Sequence, residues 1–481
     1  MLERFGRLMV RSCRAAATTS VLLLAFVVCR VAMAQCVVDV IERPLRETEG
    51  FGFKGALDGD WLVVGNVDAI GSVQFLRDQG GQWVYSGQIF DPYLEEWSAF
   101  GGEPYLDGDE LILGAYASSI EGTEAGAVYV YQFDDGAATL VQELRPPAGT
   151  TSAVFGRAID ADDQHLVIGA PSMRLNGVPG VGRVFVYQRD DRGLWSLQQE
   201  LVPEVPEQFH YFGREVELCG DRLFVSHYLS KVVLEYALVD GVWTKTHTFE
   251  PINDFTPSFG YSLAAIEDLL VVGSPMGYVD GASAGTATVF ERIDGAWQAW
   301  GQLVPPFAGI TRAGTDCAIV ESTRSILLGA PEADTSQPVS GAVFFYGRTE
   351  EGWRSATTIE PESGSYFLGE FVRTSGDRAF IAEFGTASIV AGIELADCNG
   401  NGVADACDID AGTSQDANVD GTPDECEIVG DLDGDGAVDG SDLGALLGSW
   451  GPCAGCAADL TNDGVVDGGD LGVLLAEWSA R

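Results

Sequence analysis

The sequence predicts a mainly-β fold: a seven-bladed β-propeller closed by its own N-terminal strand, then calcium-loop repeats and a small α-helical domain. Three observations predict it. A Phe-Gly signature recurs about every fifty residues, at Phe51-Gly52, Phe100-Gly101, Phe155-Gly156, Phe212-Gly213 and Phe259-Gly260, with degenerate copies at Ala313-Gly314 and Phe367-Leu368-Gly369. Each copy is followed by an apolar run ending in small residues, such as Leu62-Val63-Val64-Gly65, Leu166-Val167-Ile168-Gly169-Ala170-Pro171 and Leu327-Leu328-Gly329-Ala330-Pro331. The last 86 residues concentrate 16 Asp and 3 Glu against one Arg.

Composition sets the outer limits. The chain has 481 residues, 46% hydrophobic and 21% charged, which is an ordinary globular balance and enough for more than one domain. Its formal net charge of −45 repels phosphate backbones and anionic lipid, so neither nucleic acid nor a membrane surface is an expected partner. Residues 1–34 read as an export signal: Arg4, Arg7, Arg11 and Arg14, an apolar core from Val21 to Cys29, then Ala32-Met33-Ala34 as a cleavage site. The apolar run is too short to span a bilayer. A secreted, extracellular location is expected, with no membrane span after signal removal. There the eight cysteines that remain can form disulfides.

Residues 35–395 carry the repeats. After the apolar run of each unit comes an alternating strand, as in Arg183-Val184-Phe185-Val186-Tyr187, and then a strand often opened by Trp: Trp83, Trp195, Trp243, Trp297 and Trp353. One four-stranded sheet cannot bury both faces alone, whereas sheets stacked round a ring can. The seventh unit lacks a Trp-led fourth strand. Val37 to Pro44 resembles the fourth-strand segment Leu140 to Pro147, so the N-terminus is expected to supply the missing strand. The Phe-Gly and Gly-Ala-Pro signatures resemble the FG-GAP repeats of integrin α chains. Calcium-binding blades of that family carry a longer Asp loop. Asp58-Gly59-Asp60 and Asp107-Gly108-Asp109 offer too few oxygens for calcium and read as turns.

The acidic tail holds four loops with oxygen ligands at positions 1, 3, 5, 7 (backbone), 9 and 12 and Gly at 6, the pattern of an EF-hand loop. The first is Asp397, Asn399, Asn401, Val403, Asp405 and Asp408; the second is Asp416, Asn418, Asp420, Thr422, Asp424 and Glu427. The third is Asp431, Asp433, Asp435, Ala437, Asp439 and Asp442; the fourth is Asp459, Thr461, Asp463, Val465, Asp467 and Asp470. Up to four Ca2+ ions are expected in residues 396–481. The first pair, residues 396–428, has cysteines and no apolar helix, and resembles thrombospondin type 3 repeats. The second pair, residues 429–481, alternates loop and helix and resembles a type I dockerin, which implies a cohesin-like partner. Its loop positions 10 and 11 are Gly440-Ser441 and Gly468-Gly469 where that family presents hydroxyls.

No catalytic constellation is recognised. Gly281-Ala282-Ser283-Ala284-Gly285 matches a nucleophile elbow, but a strand and not a helix follows it. His165, His210, His227 and His247 occur singly. The expected function is therefore a non-catalytic binding or adhesion protein, with an extracellular protein or polysaccharide ligand on the propeller. The alternative is a docked component of polysaccharide breakdown.

Disulfide candidates are Cys36, Cys398, Cys407, Cys426, Cys453 and Cys456. Cys453 and Cys456 form a local pair, and Cys407 can bridge Cys426. If residues 37–44 pair with a strand ending near Leu395, Cys36 lies near Cys398; the alternative leaves Cys36 free and pairs Cys398 within the tail. Non-reducing peptide mapping is expected to yield a Cys36–Cys398 peptide. A Cys398–Cys407 peptide with alkylatable Cys36 would refute that staple.

Overall fold

The structure, a computed structural model, describes residues 39–41, most of 51–391, and in the C-terminal part 409, 413–415, 423, 430, 432, 438, 440–453, 456–461, 463–476 and 478. Within 51–391 it leaves out 67–70, 80–81, 121–122, 254–255, 280, 307–308, 336–337, 350–351, 361–365, 377 and 383–388. The export signal lies outside the described residues. So do Cys36, Cys398, Cys407 and Cys426, and with them the staple. No helix among the described residues is long and apolar enough to cross a membrane.

The chain forms a β-propeller with few helices. Seven four-stranded antiparallel sheets follow one another, each with its strands in sequence order from the inside outward. The last sheet departs from this rule. It holds Phe371–Ser375, Arg378–Ala382 and Ile389–Ala391, and the early strand Asp39–Ile41 pairs with Ile389–Ala391 as its fourth member. The register sets Asp39 opposite Ala391 and Ile41 opposite Ile389. The innermost strands are Phe51–Asp58, Phe100–Asp107, Ala158–Ala161, Phe212–Cys219, Leu263–Ile266, Cys317–Val320 and Phe371–Ser375. Each touches the next, and the last touches the first, so the ring is closed.

The repeated sequence signature is a contact between sheets. The glycine that ends a second strand lies against the Phe-Gly glycine of the next unit. A Cβ on Gly65 would sit 2.0 Å from the Gly101 carbonyl oxygen, one on Gly169 2.1 Å from Gly213, and one on Gly329 2.1 Å from Gly369. Where sheet four has Ser226 instead, its hydroxyl donates to the Gly260 carbonyl at 2.5 Å. The glycines of the Phe-Gly pairs take positive φ, 79° at Gly101 and 80° at Gly213, a conformation open to glycine at no steric cost. Their phenylalanines (Phe100, Phe155, Phe212 and Phe259) are fully buried between sheets.

The Trp-led outer strands tie neighbouring sheets from outside. Trp195 Nε1 donates to Glu110 at 3.2 Å, Trp297 to Glu235 at 3.1 Å, and Trp353 to Glu291 at 3.1 Å, each reaching the preceding sheet. Arg189, Arg222 and Arg348 neutralise those same carboxylates. At the equivalent place in sheet four, Trp243 meets His165 edge-on, with ring centroids 5.3 Å apart. His165, at the start of a strand, is thus a buried packing residue.

In the C-terminal part, helices Gly440–Gly448 and Gly468–Ala476 share a small core of Val438, Leu446, Ala458, Val466 and Leu474. Leu447, Leu475 and Trp450 are exposed, so only some of the large apolar side chains of these helices and the residues after them are buried. Cys453 and Cys456 form the expected local disulfide, and Cys219 and Cys317, in different units, are free thiols.

Substituting Gly169→Ala is expected to lower stability by about 2–3 kcal/mol, because the new methyl would run into the backbone carbonyl of Gly213. Gly301→Ala, at a site with open space, is expected to change it by less than about 0.5 kcal/mol. Equal denaturation midpoints for the two variants would overturn the contact as the determinant of sheet spacing.

Candidate active site on the propeller axis

Ring closure leaves seven innermost strands with one edge each turned to the axis. An edge strand presents N–H groups that its own sheet cannot pair. Carboxylates of the preceding sheet fill that need. Asp160 accepts from the Leu218 amide at 2.6 Å, Glu217 from Ala265 at 3.1 Å, and Asp316 from Val372 at 2.9 Å. The acids at the axis therefore have a structural duty, and they also line a cavity.

That cavity has a volume of about 230 Å³ and draws on all seven innermost strands or the residues beside them. Its polar wall is Glu103, Asp160, Glu215, Glu217, Asp316 and Arg373. A second cavity of about 270 Å³ shares Glu217, Leu263, Arg373 and Thr374 with it. Arg373 bridges Asp316 at 3.0 Å and Glu103 at 3.7 Å. Lys54 pairs with Glu103, and Arg157 lies 3.6 Å from Glu103 and 3.9 Å from Glu215.

Burial and crowding set the proton affinities. Burial raises the Asp160 carboxyl to about 7 against the pull of its two backbone hydrogen bonds. Burial, followed by the nearby Asp160 charge, holds the Glu217 carboxyl well above the ordinary carboxylate range. Glu370 is raised to about 7 by burial and then by Asp316. Burial also raises Glu215, with Arg157 opposing it. Burial works against the Arg373 charge, but Asp316, Glu103, Glu217 and Glu215 outweigh it and keep the guanidinium protonated. Burial thus raises both Asp160 and Glu217, which line the same cavity, and carboxyls so raised can divide the roles of proton acceptor and proton donor.

The sequence reading missed this constellation because its members are spread over five units, with only Glu215 and Glu217 in the same strand. Their one shared signal is position, a few residues after each Phe-Gly pair. It also missed a smaller cluster. His210 and His227 face each other with centroids 5.7 Å apart, and Ser230 Oγ lies 2.6 Å from His210 Nδ1 and 3.2 Å from His227 Nε2. Burial, aided by His210, lowers His227 to about 4 and keeps it neutral. Ser283 lies in a short hairpin strand between the second and third strands of sheet five, with a strand after it and no helix.

Of the four expected calcium loops, the first two and most of the third lie outside the described residues. The fourth is described. Asp459 accepts from the amides of Asp463 at 3.0 Å and Gly464 at 2.7 Å, so its carboxylate points into the loop. Asp470 is fully buried and accepts from the amides of Thr461 at 2.8 Å and Asp467 at 2.7 Å. Asp442 of the third loop accepts from the Leu432 amide at 2.6 Å. Among the described residues, no three His, Cys, Asp or Glu side chains are arranged to hold a metal ion as they stand.

No family model matches the chain, and no curated protein matches it. Solved structures do. Virginiamycin B lyase from Staphylococcus aureus is 10% identical over 74% of this chain and 99% of its own, with a TM-score of 0.47. The periplasmic gluconolactonase of Pseudomonas aeruginosa is 16% identical over 64% and 84%, with a TM-score of 0.45. A Lactobacillus plantarum protein is 18% identical over 63% and 83%, also at 0.45. At these levels the likeness speaks for the fold alone. The expectation of a non-catalytic binding or adhesion protein, and its polysaccharide-breakdown alternative, are corrected by these findings. Two of these matches are named as a lyase and a gluconolactonase, and the axis of this chain carries a cluster of buried acids and an arginine that the sequence reading did not find.

Asp160 and Glu370 bind protons more tightly folded than unfolded, so their contribution to stability is greatest in acid. It is lost as pH rises from the ordinary carboxylate value of about 4 through about 7. The thermal midpoint of the full chain is expected to fall over that window, and Asp160→Asn is expected to flatten the fall. A midpoint that rises steadily from pH 4 to pH 7 in both proteins would contradict the assignment.

Proposed function

We propose that the chain is an acid–base enzyme that hydrolyses a small polar ester or lactone in the axial cavity. The observation that carries the reading is that the Asp160 and Glu217 carboxyls line one axial cavity together with Arg373. Asp160, ionised, takes a proton from water while the water oxygen adds to the substrate carbonyl. Protonated Glu217 gives its proton to the departing alkoxide, and Arg373 balances charge on the carbonyl oxygen. An ester and a water become an acid and an alcohol, with both carboxyls restored by proton exchange. The cavity is smaller than the roughly 300–1,000 Å³ of pockets for drug-sized ligands, which favours a single sugar-sized molecule. In the same reading each of the seven sheets is one blade of an FG-GAP-like ring, and the export signal delivers the protein outside the cytoplasm.

A pH-stat assay of the full chain against sugar lactones and small esters tests this. Activity is expected, with Asp160→Asn and Glu217→Gln each reducing kcat by about 10²-fold or more. Full activity in both variants would sink the assignment.

We also propose that calcium orders the C-terminal loops. The inward carboxylates of the fourth loop and the oxygen-rich donor set support it; a bound ion would draw on Asp459, Asp463, Asp467 and the Val465 carbonyl, and would require Asp470 to release its amides. Adding millimolar calcium to the full chain is expected to raise the protease resistance of residues 396–481, and Asp463→Ala is expected to weaken that protection. An unchanged cleavage pattern would remove calcium from the account.

A further inference from the structure

Glu215, which lines the axial cavity, lies 3.9 Å from Arg157 and in the field of Arg214, and both arginines are set among aromatic rings. There Arg214 is clasped between two aromatic faces, 4.9 Å from the Tyr228 centroid and 4.4 Å from that of Tyr261. The two tyrosines meet edge to face at 5.8 Å. Arg157 lies over Tyr116 at 5.7 Å, and both Tyr116 and Tyr261 contribute to the field that holds its guanidinium charged. Two buried guanidinium atoms, Arg157 Nη1 and Arg214 Nε, have no hydrogen-bond partner among the described residues. Arg157 has carboxylates at ion-pair distance, yet that nitrogen hydrogen-bonds to neither. A buried donor without an acceptor costs about 1–3 kcal/mol. Both guanidiniums act on Glu215, and each still has one buried nitrogen with room in its hydrogen-bonding capacity for a further acceptor.

We propose that Arg157 and Arg214, walled by Tyr116, Tyr228 and Tyr261, form an anion subsite that takes the carboxylate of a sugar acid. The assignment rests on the hydrolytic reading and deepens it by naming the substrate class: a polyhydroxy molecule with one carboxylate. A planar carboxylate matches the fork of a guanidinium clamped between flat rings. Glu103 and Glu215 stand beside Arg157, so a dianionic phosphate meets twice the repulsion that a monoanion does. The carboxyl groups of Glu217, Asp160 and Asp316 at the cavity wall accept hydrogen bonds, which suits hydroxyls at the other end of the same molecule.

Calorimetric titration of the full chain with D-glucose, D-glucuronate and glucose 6-phosphate tests the subsite, since the three share a ring and differ in the group at one carbon. Glucuronate is expected to bind at least tenfold more tightly than either of the others. Arg214→Gln is expected to remove that preference, and Arg214→Lys, which keeps the charge and loses the planar fork, to retain only part of it. Melting temperatures of both variants establish that they fold. Equal affinity for glucose and glucuronate, preference for the phosphate, absence of glucuronate binding, or unchanged binding in a folded Arg214→Gln would each overturn the proposal. Binding does not require turnover. Glucuronate binding without hydrolysis of any lactone defeats the hydrolytic reading alone, whereas hydrolysis without selective binding defeats the subsite alone.

Discussion

The contact on which the rest of the structure depends is backbone against backbone, glycine against glycine, between neighbouring sheets. Gly65 meets Gly101, Gly114 meets Gly156, Gly169 meets Gly213, Gly273 meets Gly314 and Gly329 meets Gly369, each too close for an added Cβ. This fixes how near the innermost strands come to the axis. It also explains why the sequence repeats a glycine in two places per unit rather than one, since each contact needs both partners. The residues just beyond the Phe-Gly pair are then held at the axis by rigid backbone, which is where a functional site gains most from pre-organisation.

A second constraint follows from the first. Strands brought edge-on to an axis carry unpaired amides, and in this chain the groups that cap them include carboxylates. Asp160, Glu217 and Asp316 each cap an amide of the next sheet. Burying so many acids together is costly unless cations are present or protons are retained. Both remedies are found. Lys54, Arg157 and Arg373 neutralise part of the ring, and Asp160, Glu217 and Glu370 hold protons to unusually high pH. The acid–base character of the cavity is thus a consequence of how the ring is closed, and chemistry is built on residues that the fold already requires.

Much of the architecture could be read from the sequence because its determinants are local. Glycine spacing, alternating strands and leading tryptophans are visible in any one unit, and the N-terminal closing strand was legible through its likeness to Leu140–Pro147. Trp195, Trp297 and Trp353 proved to have a partner the sequence hides, a glutamate one sheet earlier. The site was not legible for the same reason: Asp160 and Glu217 are unremarkable in their own strands and acquire meaning only when the ring sets them side by side. His210, His227 and Ser230 illustrate this on a smaller scale, since a loop and a strand end converge without any ligand spacing in the chain. The binding-protein expectation failed because it inferred an absence of chemistry from an absence of motifs.

The central claim is that closure of the ring holds Asp160 and Glu217 as a proton-sharing pair. Site-resolved carboxyl titration by carbon-13 NMR reads it directly, with Asp160→Asn and Glu217→Gln supplying the assignments. The account predicts an Asp160 midpoint near 7, Glu217 also well above the ordinary range, and a drop in the Glu217 midpoint when Asp160 is neutralised. Both carboxyls titrating near 4, independently of each other, would contradict it.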